Sequence, residues 1–166
     1  MAYPTEAVYG LGCLPDDEAT LQRLLGLKGR SADKGFVLIA ASIDQLRPYL
    51  APLSPDMEQR IVASWPGPVT WVLPAAARGS ALLCGAHGTI AARVTAHAMA
   101  AALCRAAGSP LVSTSANPSG LRPARSPLGV RRYFGDRLDL ILHGACGGLA
   151  RPTPIYDART GRCLRE

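Results

Sequence analysis

Six apolar runs, each five to seven residues long, punctuate this chain: FVLIAAS (36–42), TWVLPA (70–75), TIAARVT (89–95), PLVST (110–114), LDLILHG (138–144) and PIYDAR (154–159). Each suits one pass through a sheet, and none approaches the ~20 apolar residues of a membrane span. Between them lie stretches with helix signals. DDEATLQRLLGLKGR (16–30) opens on three acids and closes on cations, matching both ends of a helix dipole, and its Leu21, Leu24 and Leu25 share one stripe. SPDMEQRIVASW (54–65) starts with Ser-Pro-Asp-x-Glu, and HAMAAALCRAAG (97–108) closes on Gly108. SPLGVRRYFGD (126–136) is a shorter pattern of the same kind. Strands interleaved with helices predict an α/β fold: a twisted, mostly parallel or mixed sheet with flanking helices, in one domain over residues 1–166.

Charge is distributed unevenly along this frame. Residues 1–60 carry six Lys/Arg against eight Asp/Glu, residues 61–121 three Arg and no acid, and residues 122–166 nine Arg against four acids. No carboxylate occurs between Glu58 and Asp136. Such a stretch favours an anionic partner, although a general Arg-rich, Ala-rich bias would leave the same trace. The five Cys are scattered, with no CxxC pair, which argues against a disulfide framework or a zinc site. No leader of charged and apolar regions opens the chain, and with reduced cysteines the expected location is the cytoplasm.

Three clusters are candidates for chemistry. Lys28, Arg30 and Lys34 fall within seven residues at a helix end, where they suit phosphates, as well as the negative end of a helix dipole. In YPTEAVYGLGC (3–13) a polar Thr5-Glu6 pair interrupts an apolar run. In LVSTSANPSG (111–120) three consecutive hydroxyls follow a buried-looking strand. The turn chemistry of Asn117-Pro118-Ser119-Gly120 does not explain them, and buried hydroxyls need partners. The rule that ligands sit at the carboxyl ends of strands in open α/β sheets places these hydroxyls and Arg93 on one rim. No Walker A loop, GxGxxG or GxSxG elbow is present, and His87, His97 and His143 have no catalytic spacing.

Taken in order, YPTEAVYGLGC, KGRSADKG, WPGPVTWVLPA, AARVTAH, LVSTSANPSG and RPTPIYDARTGRCLRE resemble the YrdC-like threonylcarbamoyl-AMP synthases, in their short single-domain form, over nearly the whole chain. The resemblance implies a concave, basic cavity and a nucleotidyl transfer. L-Threonine, bicarbonate and ATP would give threonylcarbamoyl-adenylate and pyrophosphate, with Mg²⁺ riding on the phosphates and no tightly bound cofactor or resident metal. A threonylcarbamoyl-transferase complex would then modify tRNA. It implies that Lys28 and Arg30 are the catalytic cations. ATP would be held by these two with Lys34, Ser113, Ser115, Asn117, Ser119 and Arg165. Threonine would be held by Thr5, Arg93, Ser115 and Thr153, the last standing where the family often has Ser.

Two departures accompany the resemblance. The family usually carries a helix and the start of a strand before its YPTE motif, whereas here Met1 lies two residues before Tyr3, so a domain lacking that helix is expected. Pro and a hydrophobe usually stiffen the loop around the second cation, whereas here the loop reads Arg30-Ser31-Ala32-Asp33-Lys34-Gly35-Phe36. Two other readings stay open at this point: a double-stranded RNA or tRNA-binding module without catalysis, and a carbamoyl-adenylate-forming paralogue.

Overall fold

A computed structural model describes all residues, 1–166. Its eight strands are β1 (Ala2–Pro4), β2 (Tyr9–Leu11), β3 (Val37–Ala40), β4 (Thr70–Pro74), β5 (Thr89–Val94), β6 (Leu111–Ser115), β7 (Ile155–Asp157) and β8 (Cys163–Arg165). They form one sheet in the order β1-β2-β6-β3-β5-β4-β7-β8. The helices are α1 (Glu18–Lys28), α2 (Ile43–Leu46), α3 (Pro55–Ser64), α4 (Ala81–Cys84), α5 (Ala98–Ala107) and α6 (Pro127–Phe134). Of the two sheets expected, mostly parallel or mixed, the mixed one is found: of seven pairs only β3 with β5 and β4 with β7 are parallel.

The helix ends lie where side chains can satisfy them. Asp17 accepts from Thr20 N at 2.9 Å to open α1, and Ser54 and Ser126 cap α3 and α6, each followed by proline. His97 plays the same part for α5 through Nδ1. The run 138–144, expected as a strand, forms none. It meets β1 at one residue, where Ala2 N donates to Leu140 O (2.8 Å) and Leu142 N donates to Ala2 O (2.9 Å). Beyond that single bridge the run forms no further pair with β1, and the chain turns off to Gly144, tied to the Tyr9 hydroxyl.

Both faces of the central strands are covered, which is why β3 reads as the unbroken run VLIA. Leu38 and Val112 belong to the larger core with Leu21, Ile61, Leu73 and Phe134. Ile39 and Leu111 point the other way, into a smaller core with Tyr3, Ala100 and Cys104 under α5. The pleat repeats every two residues. One step along the strands on that second face, Val37, Ala91 and Ser113 replace the row Ile39, Arg93 and Leu111. There no residue of α5 lines the face, which opens into a cleft.

Candidate active site

The cleft has a volume of about 390 Å³. Four cations line it, Arg30, Lys34, Arg93 and Arg165, and no carboxylate does. Thr5, Ser113, Thr114, Ser115 and Thr153 supply hydroxyls to the same wall. Because β6 runs against β3 and β5, its carboxyl end lies beside their amino ends, so the strand-end rule applies to Ser113 and Ser115 but not to Arg93. Arg93 stands one row deeper, opposite Ile39 and beside the edge of the α5 core.

That deeper end is heavily bonded. Arg93 is 5% exposed and Glu6 6%. Arg93 Nη2 lies 3.0 Å from Glu6 Oε2, and its Nη1 donates to Thr153 Oγ1 at 2.5 Å. Thr95 Oγ1 donates to Glu6 Oε1 at 2.6 Å. Burial lowers the Arg93 pKa, opposed by the Glu6 charge. Thr5 donates its hydroxyl proton to Val8 O at 2.7 Å, which leaves its oxygen as an acceptor at the cleft wall. Glu6 is the residue to which sequence reasoning gave no role: it was quoted with Thr5 as a polar pair in an apolar run, and its partners lie about ninety residues away in sequence.

The opposite end has positive charge without a counter-ion. Arg30 leaves the C-terminal side of α1 and its Nη1 donates to Thr114 Oγ1 at 3.2 Å. Its Nη2 donates to Gly35 O at 2.9 Å, and its plane covers the Phe36 ring with 5.6 Å to the centroid. Arg165 Nη2 donates to Thr153 O at 2.9 Å. Lys34 is exposed at the rim and its ammonium has no partner in the chain. Burial lowers the pKa of both Arg30 and Arg165, and each is lowered further by a neighbouring guanidinium, Arg165 for Arg30 and Arg93 for Arg165. Like charges held together in a half-buried cleft favour an anion that relieves them.

Lys28, Asn117 and Ser119 hold the hydroxyl shelf from behind and do not line the cleft. Lys28 is 4% exposed, and its Nζ donates to Ser115 O and, at 2.8 Å, to Asn117 O. Ser119 N returns a bond to Lys28 O at 2.8 Å, while the Ser119 side chain faces solvent. Asn117 Nδ2 closes its own turn by donating to Pro118 O (2.9 Å) and Leu121 O (2.8 Å), and its buried Oδ1 has no partner. Burial, then the Arg30 charge, brings the Lys28 ammonium down to about 8. The fold thus brings the K-x-R pair and the S-x-S-A-N segment together, with Arg30 facing the cleft and Lys28 clamping the strand end.

A family model described as "Telomere recombination", covering the Sua5, YciO and YrdC proteins, matches residues 1–166. This chain belongs to that family. The threonylcarbamoyl-AMP synthase of Halorhodospira halophila is 58% identical over 166 residues, covering 100% of this chain and 87% of the relative. That of Nitrosococcus oceani is 54% identical over 165 residues, 99% of this chain and 89% of the relative. Among solved structures, the P. abyssi Sua5 complexed with L-threonine superposes with a TM-score of 0.89 at 32% identity, over 94% of this chain. The chain spans 46% of that longer protein.

Proposed function

We propose that this chain is a threonylcarbamoyl-AMP synthase. The observation that carries the reading is the acid-free cleft, lined by the cations Arg30, Lys34, Arg165 and Arg93 and by the hydroxyls of Thr5, Ser113, Ser115 and Thr153. The full-length similarity to relatives that bear this name supports it.

In this reading the amino group of L-threonine, as the free amine, bonds to the carbon of bicarbonate, and water is lost to leave a carbamate. A carbamate oxygen then attacks the α-phosphorus of ATP, the Pα–O bond to the β-phosphate breaks, and pyrophosphate leaves. No protein nucleophile is required. Catalysis comes from positioning and from fixed positive charge facing the phosphates as negative charge shifts to the leaving group. Arg30 and Arg165 hold the triphosphate, and Lys34 meets it at the rim. Arg93 and Thr153 take the threonine carboxylate, and the Thr5 oxygen accepts from its amino or hydroxyl group. Ser113 and Ser115 bridge nucleotide and threonine. Lys28, Asn117 and Ser119 keep that shelf in place. With no carboxylate on the wall, Mg²⁺ arrives as the ATP complex, on phosphate and water oxygens. The adenylate would pass to a transferase complex that modifies tRNA.

The test is pyrophosphate release from ATP and bicarbonate with L-threonine, with L-serine, and with no amino acid. Release that depends on threonine, with an adenylate bearing the threonylcarbamoyl mass, is the expected result. Release without any amino acid, or with carbamoyl phosphate in its place, points to the carbamoyl-adenylate paralogue. Salt-sensitive RNA binding with no turnover points to a binding module.

A further inference from the structure

The turn that carries Lys34 and props Arg30 is fixed by main chain packed on main chain. Gly35 (φ 55°, ψ −169°) and Gly85 (φ 63°, ψ −150°) both occupy backbone space that is essentially reserved for glycine. They face each other across the gap between the 32–35 turn and the segment 81–87. A Cβ on Gly35 would come within 2.6 Å of Leu83 O and 2.9 Å of Cys84 C. A Cβ on Gly85 would overlap Asp33 O and come within 2.6 Å of Gly35 N. All of these neighbours are backbone atoms, so no side chain can rotate aside. Phe36 N donates to Leu83 O at 2.9 Å and closes the join.

On the other side of the turn, the carbonyls of Lys34 and Gly35 accept from Arg30 Nη2 at 3.4 and 2.9 Å. The line of support therefore runs from α4, capped by Ser80, through Gly85 and Gly35 to the Arg30 guanidinium and the Lys34 ammonium. No hydrogen bond joins segment 81–87 to Thr5, Arg93 or Thr153. This packing supplies the stiffness that the loop's sequence, without its usual proline, does not.

We propose that Gly35 and Gly85 are positioning residues for the triphosphate, and that segment 81–87 is the backing against which the Arg30–Lys34 arm is set. The inference rests on the reading of the cleft as a triphosphate site. A displacement of the arm by about 1 Å is enough to lose ~100-fold in a positioned reaction.

The test uses the whole chain, with inorganic tripolyphosphate and L-threonine as separate calorimetric ligands and pyrophosphate release for steady-state constants. Gly85→Ala should weaken tripolyphosphate and raise KM for ATP by about tenfold to a hundredfold, with KM for threonine unchanged. Ser80→Ala, which only loosens the α4 cap, should move the same constants in the same direction by less. Gly88→Ala is the control: Gly88 also has a positive φ, 60°, but its Cβ would meet open space. Equal losses in Gly85→Ala and Gly88→Ala, or parallel losses of tripolyphosphate and threonine, overturn the proposal, as does a wild type that binds no tripolyphosphate. If Gly85→Ala does not fold, the Phe36 amide decides: protection from exchange in the ligand-free wild type, reduced in Ser80→Ala, supports the proposal, and an unprotected amide overturns it. A wild type that binds tripolyphosphate but releases no pyrophosphate sinks the synthase reading alone. Threonine-dependent turnover that Gly85→Ala leaves untouched sinks this inference alone.

Discussion

The two ends of the cleft solve opposite electrostatic problems. At the closed end Arg93 is matched by Glu6, and Thr95 and Thr153 complete a network that needs nothing from solution to be neutral. At the open end Arg30 and Lys34 have no acid beside them, and Arg165, bonded to Thr153 O and close enough to both Arg30 and Arg93 for their charges to matter, links the two ends. A neutral pocket recognises a small zwitterion by shape and hydrogen bonds. An uncompensated one recognises charge, and a polyanion relieves its self-repulsion. The closed end should therefore fail as a part of the fold, and the open end as a part of the ligand site.

The sharpest break is at the closed end. Arg93→Ala leaves a buried carboxylate with only the Thr95 hydroxyl, and removing one partner of a buried ion pair typically loses about 3–5 kcal/mol of stability. Denaturant unfolding should show that loss, together with loss of threonine binding. The double variant Glu6→Gln/Arg93→Met should recover most of the stability and none of the threonine binding. Recovery of neither would place the two side chains outside one interacting pair. At the open end the pattern reverses. Arg30→Ala should reduce kcat/KM for pyrophosphate release by about 10²–10³-fold, the usual loss when one fixed donor to a developing charge is removed. Its unfolding midpoint should fall less than that of Arg93→Ala, and its affinity for threonine should hold. An Arg30 variant that unfolds as easily as the Arg93 variant would make both ends structural.

These two ends were unequally legible in the sequence. The open end could be read because its parts are local: K-x-R stands at a helix end marked by acids, cations and Gly29, and hydroxyls follow a short apolar strand. At the closed end Thr5, Arg93 and Thr153 came from the resemblance, but the Arg93–Glu6 pair did not, because it depends on which strands become neighbours, a long-range choice that no spacing announces. The direction of Lys28 was lost for a related reason. A helix-end lysine is ordinarily solvated, but here the strand-end carbonyls of Ser115 and Asn117 arrive from elsewhere and turn it inward. The strand β8 is three half-buried or exposed residues, without the alternation that would have marked it, and the 138–144 run had the pattern of a strand but only a one-residue bridge to pair with.

Lys28 lies between the two ends in behaviour, which makes pH a third way to separate them. Burial and the Arg30 charge hold its ammonium down to about 8 in the folded chain, against ~10.4 in an unfolded one. Between those values the unfolded state holds more protons, so stability contributed by Lys28 rises with pH; the penalty of its buried charge is full below about 8 and gone above the unfolded value. The stability of the wild type relative to Lys28→Met should thus improve on going from about pH 8 to 10. ATP affinity should fall as pH rises through about 8, where Lys28, behind the cleft wall, loses its positive charge. The neutral amine keeps two protons for its two carbonyls, so the shelf survives the titration. A stability difference that is flat with pH would mean that Lys28 remains an ordinary, fully charged lysine.

The smallest effect belongs to Lys34. Its side chain is exposed and unpaired, so it attracts the polyanion through water, where an ion pair is worth about 0.2–1 kcal/mol. Lys34→Ala should therefore raise KM for ATP by only about twofold to fivefold at low salt. The difference should shrink as salt shortens the screening length, from about 10 Å at 0.1 M ionic strength to about 3 Å at 1 M. The Arg30 effect should persist under the same salt, because that guanidinium is half-buried and held by Thr114 and Gly35. Steady-state titration of ATP at two ionic strengths separates the two residues. If both effects vanish together, the open end acts only as a diffuse positive surface. If the Arg30 effect alone survives, a fixed guanidinium contacts the phosphates and Lys34 only gathers them toward it.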